Sequence, residues 1–357
     1  MTTRLLITGA GTGAANNLIR SLTAGDPSLI IIGCHSDQFV LKKSPADRNY
    51  LVSPVRHPGF SRSLAYVVDA EKIDLLIPTS DADVVAVSRA RGAMGCRLFL
   101  PAKQVIARCQ DKYGLATFLQ SRGVPVPLTH PVTDLDEIAE VFRRLPAAPR
   151  LWCRMRMGTD SMGATPVRTP EQARSWISYW EEMRGVPPGS FTLSEYLSGP
   201  AFSCQCLWQD GKLVLAKTFE HVSYFRGEAR PSGVSSVTAL AKTVCEPRLV
   251  ETSTRAIGAL GRGVTGAFDV DLKDGADGVA RITEINAGRF LSGTSLFDLT
   301  GKHNMATTYV RLALGDPVEI DPAYDVAPDY YMVRDLDTLP AIVHADSLFE
   351  GIEDARR

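Results

Sequence analysis

Acidic side chains recur at a spacing of two residues in two neighbouring β-rich runs. Asp269 and Asp271 lie in the first run, and Glu284 and Asn286 lie in the second. Side chains alternate along a strand, so each pair shares one face, and a hairpin brings the two pairs together. Carboxylate and amide oxygens are ligands that suit Mg²⁺, and acids on apolar strands cost free energy if nothing satisfies them. A polar face at a sheet edge has the same spacing, so the pattern alone leaves both interpretations open.

Cationic side chains stand next to flexible backbone in two places. Arg154 and Arg156 come directly before the glycine-containing loop 157–163, and Lys112 follows Asp111 at the start of a predicted helix. Arginine grips phosphate with two nitrogens, and mobile backbone N–H groups form concavities that bind anions. Together these features favour a polyphosphate site. Taken singly, a surface arginine beside a loop and a solvated helix cap explain them at least as well.

Three glycines, Gly9, Gly11 and Gly13, follow the first predicted strand and precede a helix. Their spacing, GxGxG, falls short of the GxGxxG typical of dinucleotide sites. Such a site also needs an acidic residue at the end of the second strand, and Asp37 comes late for that role. We therefore interpret the glycines as a tight turn needed for helix–sheet packing, with NAD binding as the alternative.

Zinc and nucleophilic chemistry find no support in the sequence. The six histidines lack metal-ligand spacing, and neither GxxxxGK[ST] nor GxSxG occurs. His221 follows Glu220 in a strand-like region and is either a side chain that faces a site or a satisfied structural histidine. The seven cysteines are scattered without a CxxC pair, which predicts reduced thiols and a cytoplasmic location.

The composition is typical of a globular protein with two or three domains. The chain has 357 residues, of which 45% are hydrophobic and 22% charged, enough for a sizeable core. A formal net charge of −1 argues against nucleic-acid binding. No apolar stretch reaches the roughly 18 residues of a membrane-spanning helix, and the N-terminus lacks the zones of a signal peptide.

Strands alternating with helices over residues 1–110 predict a doubly wound parallel sheet. The strands expected there are 4–8, 28–33, 74–78 and 97–101. Further along, the sequence predicts helices at 113–121, 135–145, 170–183 and 248–260, and strands at 151–156, 191–196, 201–209, 212–218, 266–273 and 279–285. The remainder from about residue 317 is acidic and broken by prolines, which predicts a surface tail.

The order of these signals, from about residue 4 to residue 317, resembles the ATP-grasp superfamily, in its branch of carbamoyl-phosphate-synthase-like and biotin-carboxylase-like proteins. The stretches that carry the resemblance are, in chain order, ITGAG from Ile7, IPTSD from Ile77, DK at Asp111, GVPVP from Gly123, EYL from Glu195, GAFDVD from Gly266, EIN from Glu284, TGKHN from Thr300 and LGDP from Leu314.

The resemblance implies an architecture of mixed α/β and α+β type. An N-terminal Rossmann-like preATP-grasp domain would be followed by a two-lobed ATP-grasp domain. The implied boundaries are 1–110 for the first domain, 111–195 for the N-lobe and lid, 196–317 for the C-lobe with the metal hairpin, and 318–357 for a C-terminal tail.

The resemblance also implies roles for individual residues. Lys112 and Arg154 would bind the α- and β-phosphates of ATP, under a lid formed by Gly158 to Gly163. The adenine hinge would comprise Glu195, Tyr196 and the backbone of Leu197. Asp271, Glu284 and Asn286 would hold Mg²⁺. Arg289 would act as a catalytic residue with Arg154 and stabilise an acyl phosphate, although this chain reads Glu-Ile-Asn-Ala-Gly-Arg, one residue longer than the ExNPR of the family.

The chemistry implied is ligation of a carboxylate to an amine. The carboxylate attacks the γ-phosphate of ATP, ADP leaves, and an amine then displaces phosphate from the acyl phosphate. The expected cofactors are ATP and one or two Mg²⁺ ions, with Mn²⁺ as a substitute. The expected partners are small-molecule carboxylates and amines, not nucleic acid or membrane, and a homodimer is left open.

The carboxylate substrate needs donors, which the loop 224–236 offers as Arg226, Arg230 and Ser232, although solvated loop side chains explain these residues as well. Two other functions stay open at this point. One is an ATP-grasp protein that binds nucleotide without turnover, and the other is an NAD-dependent oxidoreductase.

Overall fold

The computed structural model describes residues 2–145, 149–159, 161–227, 230, 232–291, 293, 298, 300–335 and 341–347. Of the predicted lid, Asp160 lies outside the described residues, as does most of the segment after residue 335. No helix in the described part of the chain is both long and apolar enough to cross a membrane. All seven cysteines fall within it, and each is a free thiol.

The N-terminal domain contains a four-stranded parallel sheet in the order β3-β2-β1-β4. Its strands are β1 (Arg4–Thr8), β2 (Ile30–His35), β3 (Arg48–Leu51) and β4 (Leu75–Ile77). The helices are α1 (Gly13–Gly25), α2 (Gln38–Leu41), α3 (Phe60–Glu71) and α4 (Asp81–Arg89). The parallel sheet matches the prediction, but one strand does not. Residues 97–101 contribute only a single bridge, between Leu75 and Arg97, and the fourth strand is β3.

The glycine turn between β1 and α1 is closed by the chain itself. Gly11 has a φ of +92°, and a Cβ atom built there would lie 1.9 Å from the carbonyl oxygen of Val40 in α2. A Cβ at Gly9 would lie 2.6 Å from Oγ1 of Thr79. The glycines therefore permit close packing of α2 and β4 against the turn, where a dinucleotide pyrophosphate would need free space.

The second unit carries a four-stranded antiparallel sheet in the order β5-β8-β6-β7. Its strands are β5 (Thr129–Pro131), β6 (Leu151–Met155), β7 (Thr165–Val167) and β8 (Phe191–Glu195). The helices that precede or cover this sheet are α5 (Lys103–Gln110), α6 (Lys112–Ser121), α7 (Ile138–Arg144) and α8 (Pro170–Arg184). The side chain of Asp111 caps α6 by accepting from the backbone N–H of Gly114, as the order of residues predicts.

A seven-stranded sheet forms the third unit, in the order β13-β12-β9-β10-β11-β14-β15. Its strands are β9 (Ala201–Gln209), β10 (Lys212–Tyr224), β11 (Thr238–Thr243), β12 (Gly266–Asp274), β13 (Ala280–Ala287), β14 (Tyr330–Val333) and β15 (Ala341–His344). The helices are α9 (Pro247–Leu260) and α10 (Met305–Leu314). Short 3-10 turns occur at Arg91–Ala93, Leu135–Glu137, Pro188–Ser190 and Ala345–Ser347.

Two elements of this sheet correct the sequence prediction. Strand β10 continues to Tyr224, six residues beyond its predicted end. Strands β14 and β15 lie in the segment predicted as a surface tail, and β14 pairs with β11 through Leu240 and Val333. Met332 of β14 is buried in the same core as the N-terminal sheet, so this part of the segment belongs to the sheet.

One hydrophobic core joins the first and third units. It contains Leu5 and Ile7 of β1 together with Phe219, Phe290 and Tyr309. Tyr309 packs edge-on against Phe99 and donates a 3.0 Å hydrogen bond to the carbonyl of that residue. This shared core holds the carboxyl end of the parallel sheet close to the β12–β13 hairpin, so that Asp81 at the start of α4 faces the cleft between the units.

Candidate active site

A cleft of about 950 Å³ runs between the three units. Its walls come from the start of α1, the end of β6 with the following loop, the hinge after β8, the β12–β13 hairpin and the loop after β10. Most of the predicted site residues line it, namely Lys112, Arg154, Gly158, Glu195, Tyr196, Leu197, Arg226, Asp271, Glu284, Asn286 and Arg289. The cleft therefore gathers residues that are more than 170 positions apart in the chain.

The acidic pairs meet in the hairpin, because β12 and β13 pair Asp271 with Glu284 and Asp269 with Asn286. The carboxyl groups of Asp271 and Glu284 are hydrogen-bonded to each other, and Nδ2 of Asn286 lies 3.4 Å from Oδ2 of Asp271. Burial and the neighbouring acids Asp269 and Glu284 raise the pKa of Asp271 well above its usual range. Two acids held in contact are stabilised either by a shared proton or by a bound cation.

Asp269 lies deeper than the other three side chains of the hairpin and is fully buried. Neither of its carboxylate oxygens has a hydrogen-bond partner of normal geometry among the described residues. Burial raises the pKa of this carboxyl group to about 7. It therefore adds to the electrostatic demand for positive charge at this end of the cleft.

Two cations stand opposite the acids. Nζ of Lys112 lies 3.3 Å from Oε2 of Glu284 and donates a 2.7 Å hydrogen bond to the carbonyl of Gly158. Arg154 is 8% exposed, donates from Nη2 to the carbonyl of Thr283 at 2.9 Å, and has no partner for Nε within the described part of the chain. Burial alone would raise the pKa of Glu284, but Lys112 and Arg154 outweigh it and lower the pKa to about 2.

Arg156, the second arginine of the predicted pair, has a different role. Its guanidinium binds the carboxylate of Asp111 with two nitrogens, Nε at 3.1 Å from Oδ1. The carbonyl of Arg156 also accepts a 3.0 Å hydrogen bond from the backbone N–H of Lys112. These contacts tie the start of α6 to the end of β6, and so fix Lys112 beside the glycine loop.

The two ends of the glycine loop lie in different surroundings. Gly158 lines the cleft, together with Thr159 and Ser161. Gly163 instead packs beneath the loop, where a Cβ would lie 2.7 Å from Cγ of Met155, and its carbonyl accepts a 3.0 Å hydrogen bond from Nε1 of Trp176. The predicted lid thus has one end at the cleft and one end anchored to α8.

The hinge after β8 lines another part of the cleft. Oε2 of Glu195 accepts from the backbone N–H of Leu128 at 3.4 Å and lies 3.7 Å from Nε of Arg281. The Tyr196 ring lies 6.3 Å from the ring of Trp152, and Leu197 is buried. Aromatic and apolar walls with a fixed backbone edge suit a flat heterocyclic base.

Arg289 connects the hairpin with the N-terminal domain. Its Nε lies 2.5 Å from Oδ1 of Asp81 at the start of α4, and its Nη2 donates to Oδ1 of Asn286 at 2.7 Å. The side chains of Arg289 and Asp81 are 12% and 25% exposed. Asp81 belongs to the IPTSD stretch, but the sequence does not reveal it as a site residue, since only the fold brings it to the hairpin.

The three predicted substrate residues in the loop after β10 differ in whether they reach the cleft. Arg226 lines the cleft, whereas Arg230 and Ser232 do not. Arg230 is exposed, and the carbonyl of Ser232 accepts a hydrogen bond from Oγ1 of Thr165 at 3.0 Å. Residues that line this end and that the sequence did not single out as candidates are Tyr224, Thr238, Met332 and Arg334. His221, one of whose two interpretations was a site-facing side chain, also lines the cleft.

The hairpin residues fit a divalent cation by their chemistry. Within the described ranges no group of three or more His, Cys, Asp or Glu side chains is arranged to hold a metal. The predicted ligand set contains fewer than three such side chains. It consists of two carboxylates, Asp271 and Glu284, and the amide of Asn286. Hard oxygen donors that leave positions open for phosphate oxygens and water suit Mg²⁺, which seldom takes all its ligands from protein.

Sequence comparison finds a modest similarity to ligases. No protein-family model matches the chain. The chain is 29% identical over 240 residues to a probable α-L-glutamate ligase in each of two strains of Pseudomonas putida, and the match covers 65% of this chain and 74% of the relative.

Comparison with solved structures identifies the fold. A biotin carboxylase from Campylobacter jejuni in complex with β,γ-ATP matches with a TM-score of 0.71 at 13% identity, over 92% of this chain and 74% of the other. An L-amino acid ligase from Bacillus licheniformis matches with a TM-score of 0.69 at 14% identity, over 92% and 78% of the two chains. A carboxyaminoimidazole ribonucleotide synthase from Aspergillus clavatus, complexed with ATP, gives 0.70 at 15% identity, over 93% and 82%.

All three of these solved structures are ATP-grasp enzymes. The expected fold is therefore confirmed: this chain has the ATP-grasp fold, in the arrangement shared with biotin carboxylases.

Proposed function

We propose that this protein is an ATP- and Mg²⁺-dependent ligase that activates a carboxylate as an acyl phosphate, releases ADP, and couples the acyl group to an amine. The observation that carries the proposal is the opposition of acids and cations across one cleft, where Glu284 meets Lys112 at 3.3 Å and Arg154 is buried beside the same hairpin. A mixed-charge site of this kind suits polyphosphate and cation together.

The assignment of the cleft follows its chemistry from one end to the other. The hinge at Glu195, Tyr196 and Leu197 would hold adenine, and Lys112 and Arg154 would hold the α- and β-phosphates. Asp271, Glu284 and Asn286 would hold Mg²⁺, which when bound screens the charge between the phosphates and the attacking carboxylate. Gly158 and its neighbours would cover the phosphates and limit the access of water.

The reaction balances without covalent participation of the protein. A carboxylate oxygen forms a bond to the γ-phosphorus while the bond from that phosphorus to the bridging oxygen of ADP breaks. The amine nitrogen then forms a bond to the acyl carbon, loses a proton, and expels inorganic phosphate. Arg289 would stabilise the charge on the acyl phosphate, because it is fixed between Asp81 and Asn286 at the edge of the cleft.

Amino acids are the substrate class to test first. This suggestion rests on the sequence relative named as a probable α-L-glutamate ligase, and the fold neighbour named as an L-amino acid ligase agrees with it. Arg226 and Arg334 also line the cleft, and their charge suits an anionic carboxylate.

The test is ADP release with pairs of amino acids as carboxylate and amine donors. The proposal predicts release that requires Mg²⁺, ATP and both substrates. A protein that binds nucleotide without turnover would bind a non-hydrolysable ATP analogue and release no ADP with any pair. Binding of NAD⁺ in place of the analogue would restore the oxidoreductase alternative, against the closed glycine turn at Gly11.

A further inference from the structure

A series of hydrogen bonds links the wall of the cleft beside the loop after β10 to the β12–β13 hairpin. Oγ of Ser203 donates to Oδ1 of Asp271 at 2.6 Å, and the same oxygen lies 2.9 Å from Nε2 of His221. On the other side of the ring, Nδ1 of His221 lies 2.6 Å from Oγ1 of Thr238. Ser203 and Thr238 are buried, and His221 and Thr238 line the cleft.

The direction of each of these hydrogen bonds follows from the group at one end of the series, the carboxyl group of Asp271. Asp271 directs the proton that it holds without a cation to Glu284. Its Oδ1 therefore accepts, and the single proton of Ser203 points to that oxygen. Ser203 must then accept from His221, which places the imidazole proton on Nε2. The unprotonated Nδ1 in turn accepts from the hydroxyl of Thr238. Of the two neutral tautomers of His221, the Nε2–H form is the one that satisfies all three contacts at once.

The surroundings of His221 favour that neutral tautomer. Its ring stacks on Tyr224 with centroids 5.5 Å apart and packs edge-on against Phe219 at 4.9 Å. Burial lowers the pKa of His221 to about 4. Ser203 lies between the imidazole and the acid Asp271, while Arg226 and Arg334 line the same cleft.

We propose that His221 is a positioning residue for the cation site: through Ser203 it fixes the orientation of the Asp271 carboxylate, and through Thr238 it connects that carboxylate to the wall of the cleft beside the loop after β10. This inference rests on the proposed function, because it assigns Asp271 to the cation. It makes Ser203, His221 and Thr238 parts of one unit.

Asp271 needs this hydrogen bond because its other contacts do not fix the orientation of its carboxylate. Its Oδ2 has a weak 3.4 Å contact with Asn286, and Glu284 competes for the same carboxyl group. A hydrogen bond of 2.6 Å to Oδ1 fixes the rotation of the carboxylate and leaves Oδ2 directed at the hairpin. Residues that orient a metal ligand commonly contribute about 10–100-fold to metal affinity.

The first test observes the hydrogen-bonded chain without any metal or nucleotide. Nitrogen-15 NMR of the imidazoles should show one neutral Nε2–H histidine that stays neutral from pH 8 to pH 5 and that is absent from the His221→Gln variant. The Ser203→Ala variant should shift its Nε2 resonance. An Nδ1–H tautomer, or a His221 that becomes charged above pH 6, would overturn the proposal.

The second test measures Mn²⁺ affinity in the presence of a non-hydrolysable ATP analogue by electron paramagnetic resonance. His221→Phe keeps the aromatic packing and removes both hydrogen bonds, so it should weaken Mn²⁺ binding about tenfold. His221→Gln places an amide N–H near the position of Nε2 and should recover most of the affinity. The double variant with Ser203→Ala should bind no more weakly than the Ser203→Ala variant, because both act through one contact.

The outcomes separate this inference from the proposed function. Exposed His57, replaced by Gln, is the matched control and should leave Mn²⁺ affinity unchanged. If the wild-type protein and His221→Phe bind Mn²⁺ with equal affinity, the positioning role is overturned and the ligase proposal stands. No Mn²⁺ or analogue binding by the wild-type protein overturns both.

Discussion

Asp81 and Arg289 form an ion pair at 2.5 Å although they are 208 positions apart in the chain. One residue begins a helix of the N-terminal domain and the other follows the β12–β13 hairpin, so the pair fastens the two units at the edge of the cleft. Arg289 also donates to Asn286, which makes the arginine a bridge between Asp81 and the proposed cation ligands.

Loss of this ion pair should affect activity and stability together. We expect Asp81→Asn to lower the free energy of unfolding by about 1–3 kcal/mol, because a partly buried guanidinium loses a charged partner. Turnover should fall as Arg289 loses its orientation. Chemical denaturation and steady-state ADP release check the two effects. As a control, Asp69→Asn removes an exposed carboxylate from a surface pair with Lys72 and should change neither. A stable Asp81→Asn variant with full turnover would show that the bridge is dispensable.

The metal assignment is tested at Glu284. Replacement by Gln removes the charge that faces Lys112 and should lower Mg²⁺-dependent ADP release by about 10²-fold or more, with the circular dichroism spectrum unchanged. The matched control is Asp277→Asn, in the turn of the same hairpin, where an exposed carboxylate binds Arg281 at 2.8 Å. Undiminished turnover in Glu284→Gln would remove this residue from the cation site.

The glycine turn offers a test that separates packing from dinucleotide binding. Gly11→Ala forces a Cβ to within 1.9 Å of the Val40 carbonyl at a φ of +92°, so it should destabilise the fold by roughly 1–3 kcal/mol. Gly13→Ala meets no atom within 4 Å and should leave stability nearly unchanged. Thermal unfolding of both variants measures the difference. Equal melting temperatures would mean that α2 does not press on the turn.

The pH dependence of stability should carry a contribution from His221. Its pKa is lowered by burial from 6.5 to about 4, so the unfolded chain takes up a proton at a higher pH than the folded protein does. The contribution of the neutral imidazole is complete above about pH 6.5 and is lost as pH falls toward 4. Between pH 7 and pH 5, wild-type protein should therefore lose more stability than His221→Gln, which cannot take up that proton. Parallel slopes in the two proteins would contradict the lowered pKa.

Local patterns predicted the parts of the site that depend on local geometry. Alternation along β12 and β13 places Asp271 and Glu284 on one face, and the register of the hairpin pairs them. The cap at Asp111 follows from residue type and position alone. These features depend only on residues that are close together in the sequence, which is why they could be predicted from it.

Features without a local sequence signal could not be predicted from the sequence, and each has an identifiable reason. Strand β3 is a short, mostly exposed edge strand with the sequence RNYL, so no hydrophobic alternation marks it. The sequence predicted that β10 ends at residue 218, and it did not decide whether His221 faces a site. The strand continues to Tyr224, and His221 lines the cleft. The contact between Asp81 and Arg289 exists only because a shared core joins the two units.

Transfer of oxygen from the carboxylate to phosphate tests the central claim most directly. The carboxylate substrate of a pair that supports ADP release is labelled with ¹⁸O, and the products are examined by ³¹P NMR. Activation as an acyl phosphate predicts one ¹⁸O atom in inorganic phosphate and unlabelled ADP. Label in AMP, or phosphate free of label despite product formation, would contradict acyl phosphate chemistry in this cleft.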